Sequence, residues 1–239
     1  MISFWNTFFY EPLYNALFLL VDIVPGHSLF LSVVILTIVV KFILWPLSYK
    51  AIRSQLKVKL LEPKLAEIKK IEDKQEQAKK TLELYRENKV NPFSSFFLIL
   101  IQLPIILALY WVFQDGGVQL DPEILYSFVK EPSFINPVFF GFDVTQKSLL
   151  LAFLTGFSQY YYLATAAATK SAKLSETAGE HEKMMFAFQK SMQYFMPVMI
   201  TVFSYAVGGA VALYWLTSNL FMIVQERFIQ QKLKKDPIA

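Results

Sequence analysis

The chain has 239 residues, of which 55% are hydrophobic, 16% aromatic and only 18% charged, with a formal net charge of +4. That balance excludes an ordinary soluble domain and marks an integral membrane protein. Cysteine is absent, which excludes disulfides, thiol catalysis and thiolate metal sites; of the two histidines, His181 sits in an HEKMM fragment without the second histidine of a zinc-protease helix.

Residues 1–28 contain Glu11 and Asp22, and their best apolar stretch is only the nine residues Leu13 to Val21. They lack the basic start of a signal peptide. The pattern, rich in Phe, Trp and Tyr, predicts an external interfacial amphipathic helix, with a sixth membrane span as the weaker reading. The first span is predicted over residues 29–47. Lys41 is the only charged residue between Ser28 and Tyr49. A cation at that depth costs at least about 2.5–3.5 kcal/mol and as a rule faces a bundle interior or a wet cavity. Snorkelling along its long stem is the competing explanation. Lys50, however, lies nine residues further on, roughly 13 Å along a helix, which leaves Lys41 well below the surface. The cavity-facing reading is favoured, and Thr37, one turn earlier, puts a hydroxyl on the same face.

Residues 48–91 are too long for a plain connector. Apolar residues at helical spacing, from Ile52 to Ile71 and again at Ala78, Leu82 and Tyr85, predict an antiparallel helical hairpin that turns near Asp73, with Pro63 starting or kinking a segment. This hairpin is either a solvated structural element or a partner-binding arm. The second span is predicted at 92–113, with Gln102 at mid-depth just before Pro104. An external loop follows at 114–147 and a third span at 148–169, the latter marked by Thr155, Ser158, Gln159, Tyr162, Thr165 and Thr169. After a cytoplasmic loop, 170–189, the 35 residues from Ser191 to Gln225 carry no charge. One helix of that length would reach roughly 52 Å against a hydrocarbon core of about 30 Å. Gly208-Gly209 at its middle therefore predicts a fourth and fifth span over 190–226, joined as a hairpin. Residues 227–239 form a basic tail.

Basic residues set the orientation. Residues 1–28 hold no Lys or Arg and 114–147 hold two, whereas 48–91 hold twelve, 170–190 hold four and the tail four. The excess predicts an external amino terminus and a cytoplasmic carboxyl terminus. The same surfaces offer cations to anionic lipid or RNA. Polar residues also recur on helical faces: the third-span set above, then Tyr194, Thr201 and Tyr205 in the fourth span and Tyr214, Ser218 and Gln225 in the fifth. Taken singly, each is explained by an interhelical hydrogen bond of about 1 kcal/mol. Taken with Lys41, they point to a wetted cavity, and a groove, a channel and a transport site all remain open.

Three segments resemble the core of the YidC insertases, bacterial relatives of the mitochondrial Oxa and chloroplast Alb proteins. They are TIVVKFILWPLSYKAIRSQLKVKLLEPKL, NKVNPFSSFFLILIQLPIILALYWVF and ALYWLTSNLFMIVQERF, in order and at matching spacing. The resemblance runs from Pro12-Leu13-Tyr14-Asn15 to the basic tail. It implies an all-α protein of the bacterial cytoplasmic (inner) membrane, with five transmembrane helices around a polar groove that opens to the cytoplasm and to lipid. It further implies a non-enzymatic insertase and chaperone that receives nascent membrane proteins and releases their apolar segments into the bilayer. By motif match the groove's basic residue falls on Lys41, its threonine on Thr37, the second-span glutamine on Gln102 and the last-span aromatic on Trp215. Tyr162, Gln159 and Ser218 join them from the polar stripes. Lys50, Arg53, Lys57, Lys59, Lys69, Lys70, Arg227, Lys232, Lys234 and Lys235 are the expected contacts to a ribosome, a targeting factor, the general secretion channel or the substrate.

No Gly-rich phosphate loop is present, and no cofactor or metal is expected. The family's usual residue at the position of Lys41 is arginine; lysine keeps the point charge and loses the planar fork. The chain is also expected to lack the large external domain of many relatives and a lipidation cysteine, and its amino terminus is expected to cross the membrane unaided. A small ion channel or transporter is the alternative, but no internal repeat supports it. A membrane-anchored scaffold would not need polar groups at mid-depth. An intramembrane protease would need a nucleophile dyad, and Ser32 and Lys41 are more than two helical turns apart.

Overall fold

In a computed structural model residues 2–91, 94–113, 120–166 and 180–235 are described, and these are mostly helical. The side chains of 2, 3, 94–99, 101, 180–186, 188, 189 and 233–235 lie outside the described set, as do Thr169, residues 170–179 of the predicted loop and the last four residues of the tail. A short α1 (Ile2–Trp5) leads through a π-helical turn, Asn6–Tyr10, directly into α2 (Glu11–Ile23), which carries Pro12 at its second position. Gly26, at φ +69, turns the chain into α3 (Leu29–Ile43), and the Ser28 side chain caps α3 by accepting from the Leu31 N–H.

Helix continues beyond the predicted end of the first span. After Leu44 the chain runs on as α4 (Trp45–Leu60) at a 63° bend to α3. Pro46, which cannot donate to the ladder and crowds the preceding turn, stands at that bend. A second break precedes α5 (Glu62–Ile68), whose first turn contains Pro63, and Asp73 caps α6 (Lys74–Glu87) by accepting from the Gln75 N–H at 2.8 Å. Leu61, Leu84 and Val90 form a small core of their own between these helices, joined by Val58, Leu65, Ile68 and Tyr85. On the exposed face of α6 the Lys80 ammonium, 2.7 Å from Glu76, holds that carboxyl below its ordinary value.

The remaining helices are α7 (Ser94–Val112), α8 (Leu149–Thr165), α9 (Glu180–Val207) and α10 (Gly209–Lys235). Between α7 and α8 the two short strands β1 (Val138–Phe139) and β2 (Phe142–Asp143) pair antiparallel. Gly208, at φ +127, makes the turn between α9 and α10, and a Cβ at Gly209 would come within 2.9 Å of the Val144 carbonyl oxygen. Glycine is therefore required where this turn meets the β-hairpin.

The main core joins α2 (Leu17, Phe18, Val21), α3 (Leu29, Val33, Leu36), α7 (Ile105, Leu109, Val112) and α10 (Val211, Leu213, Tyr214). Helix α8 packs between α9 and α10. Its Gly156 lets α9 approach, since a Cβ there would overlap the Thr201 side chain and stand 3.0 Å from the Pro197 carbonyl. Outward-facing positions are apolar, among them Phe42, Leu103, Phe153, Phe157, Val198, Val202 and Val224, while Ser32, Thr37, Lys41, Thr155, Ser158, Asn219, Gln225 and Glu226 are buried. Such extensive exposed apolar faces, with polar groups buried beside an apolar core, depart from the soluble pattern and suit a protein whose solvent is lipid. Among the described residues no single helix is long and apolar enough to cross a membrane; α3 and α4 meet that test only together, as a bent pair.

Candidate functional site

Lys41 lies in the last turn of α3, buried to 8% exposure, and its Nζ donates to Gln102 Oε1 of α7 at 3.0 Å. Gln102 Nε2 in turn donates to the Tyr214 hydroxyl of α10. A cation, an amide and a phenol thus link three helices. The sequence marks Lys41 and Gln102 by their isolation in apolar runs, and Tyr214 by the polar stripe of the fifth span. The third, Tyr214, is adjacent to the expected Trp215. Trp215 instead lies edge-on to Phe203 of α9, with ring centroids 6.0 Å apart.

Lysine carries three N–H donors. Among the described residues Gln102 is the one hydrogen-bond partner of Lys41, and no carboxylate forms an ion pair with it. Thr37, 1% exposed, donates to the Val33 carbonyl at 2.6 Å, so its hydroxyl hydrogen is spent within its own helix and its lone pairs remain as acceptors. The Lys41 face therefore offers unspent donors beside an acceptor. That arrangement receives an acidic side chain or a polar backbone better than it receives a cation.

The polar stripe of α8 divides. Thr155 Oγ1 shares its one hydrogen between its own Leu151 carbonyl at 2.7 Å and the Ala212 carbonyl of α10 at 2.9 Å. Ser158 accepts from Asn219 Nδ2 at 3.0 Å and donates to the Thr155 carbonyl at 2.8 Å. These two knit α8 to α10, as the single-residue explanation expects. Gln159 and Ser218 are buried and Tyr162 is half-buried on the same helix pair. Asn219, next to Ser218, is a residue sequence reasoning missed; only its place beside a polar neighbour hinted at it.

Toward the carboxyl end of α10, Gln225 Nε2 donates to Ser48 Oγ of α4 at 2.7 Å, which pins the bent helix to the bundle. Glu226 is buried at 4% exposure and accepts from Gln230 at 3.2 Å. Among the expected partner contacts, Arg227 donates to the Tyr161 hydroxyl and lies over that ring, while the Lys232 ammonium is 5.8 Å from the Tyr49 ring. Lys50, Lys69 and Lys70 are exposed; Arg53, Lys57 and Lys59 are partly covered. The side chains of Lys234 and Lys235 lie outside the described residues.

The sequence model of the family described as "60Kd inner membrane protein" matches residues 20–236. The chain is 35% identical over 206 residues to the protein of Fusobacterium nucleatum named membrane protein insertase YidC, covering 84% of this chain and 86% of that one. Proteins of the same name from Actinobacillus succinogenes and Haemophilus influenzae are 31% and 30% identical over 233 residues, 97% of this chain. The chain spans only 38% of the length of those two relatives.

Proposed function

The chain belongs to the 60Kd inner membrane protein family, and from that membership we propose that it is a membrane-protein insertase, not an enzyme, that works through a polar groove beside Lys41. Its substrates are nascent membrane proteins and its medium is the lipid bilayer. Five spans surround the groove: α3 with the start of α4, α7, α8, and the two long helices α9 and α10, with the amino terminus outside. The support for this orientation is the basic-residue asymmetry.

The observation that carries the reading is the Lys41–Gln102–Tyr214 chain, a buried cation with donors to spare. Each unsatisfied backbone group costs several kcal/mol in hydrocarbon. A substrate's polar tail entering beside Lys41 exchanges part of its lost hydration for hydrogen bonds, and its acidic groups gain a counter-charge. Burial of the substrate's own apolar segment in lipid supplies the driving force, so no nucleotide is consumed. The α5–α6 hairpin and the basic end of α10 then meet the ribosome, a targeting factor or the secretion channel through contacts that weaken with salt.

The test is complementation of an insertase-depleted bacterium by the full chain and by Lys41→Arg, Lys41→Ala and Lys41→Glu, with expression matched. Rescue by wild type and Arg, with failure of Glu, is the expected result. Rescue by all variants would strip Lys41 of its role, and failure of a well-expressed wild type would overturn the reading.

A further inference from the structure

The turn of the β-hairpin holds an unexpected residue. Val138 pairs with Asp143 and Phe139 with Phe142, which leaves a two-residue loop, Phe140-Gly141, with φ +48 and +80. Positive φ at both positions is the type I′ arrangement, which favours Asn, Asp or Gly at its first position. A bulky aromatic there is a genuine outlier. Such strain persists where the surroundings over-determine it, and it directs attention to function. Burial within the chain does not explain it, because Phe140 is 85% exposed, more than any other large apolar side chain described.

The hairpin's height is set by its neighbours. Phe140 stands edge-on to Phe139 at 4.5 Å between centroids, and Phe139 stacks on Phe30 at 4.4 Å, in the first turn of α3. The backbone of Asn136 is bonded on both sides, donating to the His27 carbonyl and accepting from the Leu29 N–H, each at 2.9 Å. Past the strands, the Gln146 carbonyl accepts from the Gly209 N–H at 3.0 Å, at the α9–α10 turn. The tip is thus tied to the start of α3 and to the turn between the two long helices. Its five residues, VFFGF, carry no charge, and Val138 and Phe142 are exposed beside Phe140.

We propose that this hairpin is a membrane-interface anchor, with Phe140, Val138 and Phe142 seated among outer-leaflet lipids beside the first turn of α3. The proposal rests on the reading of α3 as a span that begins on the outer side. Aromatic rings at that level are favoured by the headgroup boundary. The strained turn is then explained, because it presents a ring to lipid where an Asn would present an amide to water. The anchor also fixes the height of α3, and with it the depth of Lys41, twelve residues or roughly 18 Å along the same helix.

The chain contains no cysteine, so a single introduced thiol labels one site. The full chain carrying Phe140→Cys, Glu131→Cys or Val39→Cys is labelled with an environment-sensitive fluorophore and reconstituted into vesicles of phosphatidylethanolamine and phosphatidylglycerol. Nitroxide-labelled lipids and aqueous iodide serve as quenchers. The expected result is a blue-shifted Phe140 label quenched by the nitroxide lipids and shielded from iodide, with the Glu131 label quenched by iodide. A label on Val138→Cys should lose its lipid quenching when Phe140→Asp is added. Iodide quenching of the Phe140 label overturns the anchor, as does quenching by neither agent, which means protein covers the tip. The Val39 label, on the exposed face of α3, separates the two failures: if it stays lipid-quenched, only the anchor falls, and if it does not, the span reading falls too.

Discussion

Two buried polar residues, Asn15 and Lys41, are treated in opposite ways by the fold. Asn15, on α2, is 2% exposed and almost saturated. Its Nδ2 donates to the Glu11 and Ile124 carbonyls, each at 2.9 Å, and its Oδ1 accepts from the Tyr126 N–H at 2.6 Å. On the preceding residue, the Tyr14 hydroxyl accepts from the Asp121 N–H. Together they clamp the segment 121–126 onto α2. Lys41 is equally enclosed, yet among the described residues it spends one of three donors, on Gln102. Asn15 holds structure with its amide paired at both ends, since an orphaned buried group costs free energy. The spare donors of Lys41 are what the proposed insertase reading uses.

The contrast can be broken most sharply at Lys41. Lys41→Met should abolish or severely reduce insertion while leaving stability in detergent unchanged or raised by about 1 kcal/mol, since replacing a buried charge by an apolar side chain is often neutral or better. Complementation read beside thermal unfolding checks both halves. Loss of stability instead would make Lys41 a structural residue like Asn15. The opposite outcome is expected for Asn15→Leu. It strands the Tyr126 N–H and the Ile124 carbonyl and should cost at least about 2 kcal/mol, with insertion falling only as far as the folded fraction falls. Equilibrium unfolding in micelles, set against expression-matched activity, decides that case.

Gly156→Ala probes packing without polarity. Its Cβ meets Thr201 and the Pro197 carbonyl, so a loss of about 1–3 kcal/mol is expected, partly recovered in the double variant with Thr201→Ala. The smallest effect belongs to Tyr214→Phe. Removing the phenol that caps the Lys41–Gln102 chain should shift stability by about 0.6 kcal/mol, the scale of one interhelical hydrogen bond in a membrane. A larger loss would place Gln102 and Tyr214 on the structural side of the contrast.

Legibility in the sequence followed the same division. Lys41 and Gln102 stand out because a charge or an amide in an apolar run is conspicuous without any knowledge of its partner. Asn15 was invisible: it sits among ordinary interfacial residues, and its bonds to Ile124 and Tyr126 reach across 109 and 111 residues. Thr155 and Ser158 read singly as packing residues and together with Lys41 as cavity liners; Ala212 and Asn219, opposite them, show where their hydrogen bonds go. The expected aromatic, Trp215, and the one that joins the chain of hydrogen bonds, Tyr214, differ by one position, about 100° around the helix, which only packing can resolve.

Composition and periodicity alone pointed to a helical membrane protein, to helix breaks at Pro63 and Gly208, and to Lys41 as a charge inside an apolar run. Those are local properties, set by hydropathy, by the backbone limits of proline and glycine, and by the cost of charge in hydrocarbon. Tertiary structure decided which polar groups are spent and which stay open, and that an aromatic ring stands strained at the tip of the hairpin. Hydrogen-bond saturation is a property of pairs brought together from distant parts of the chain, and no single segment carries it.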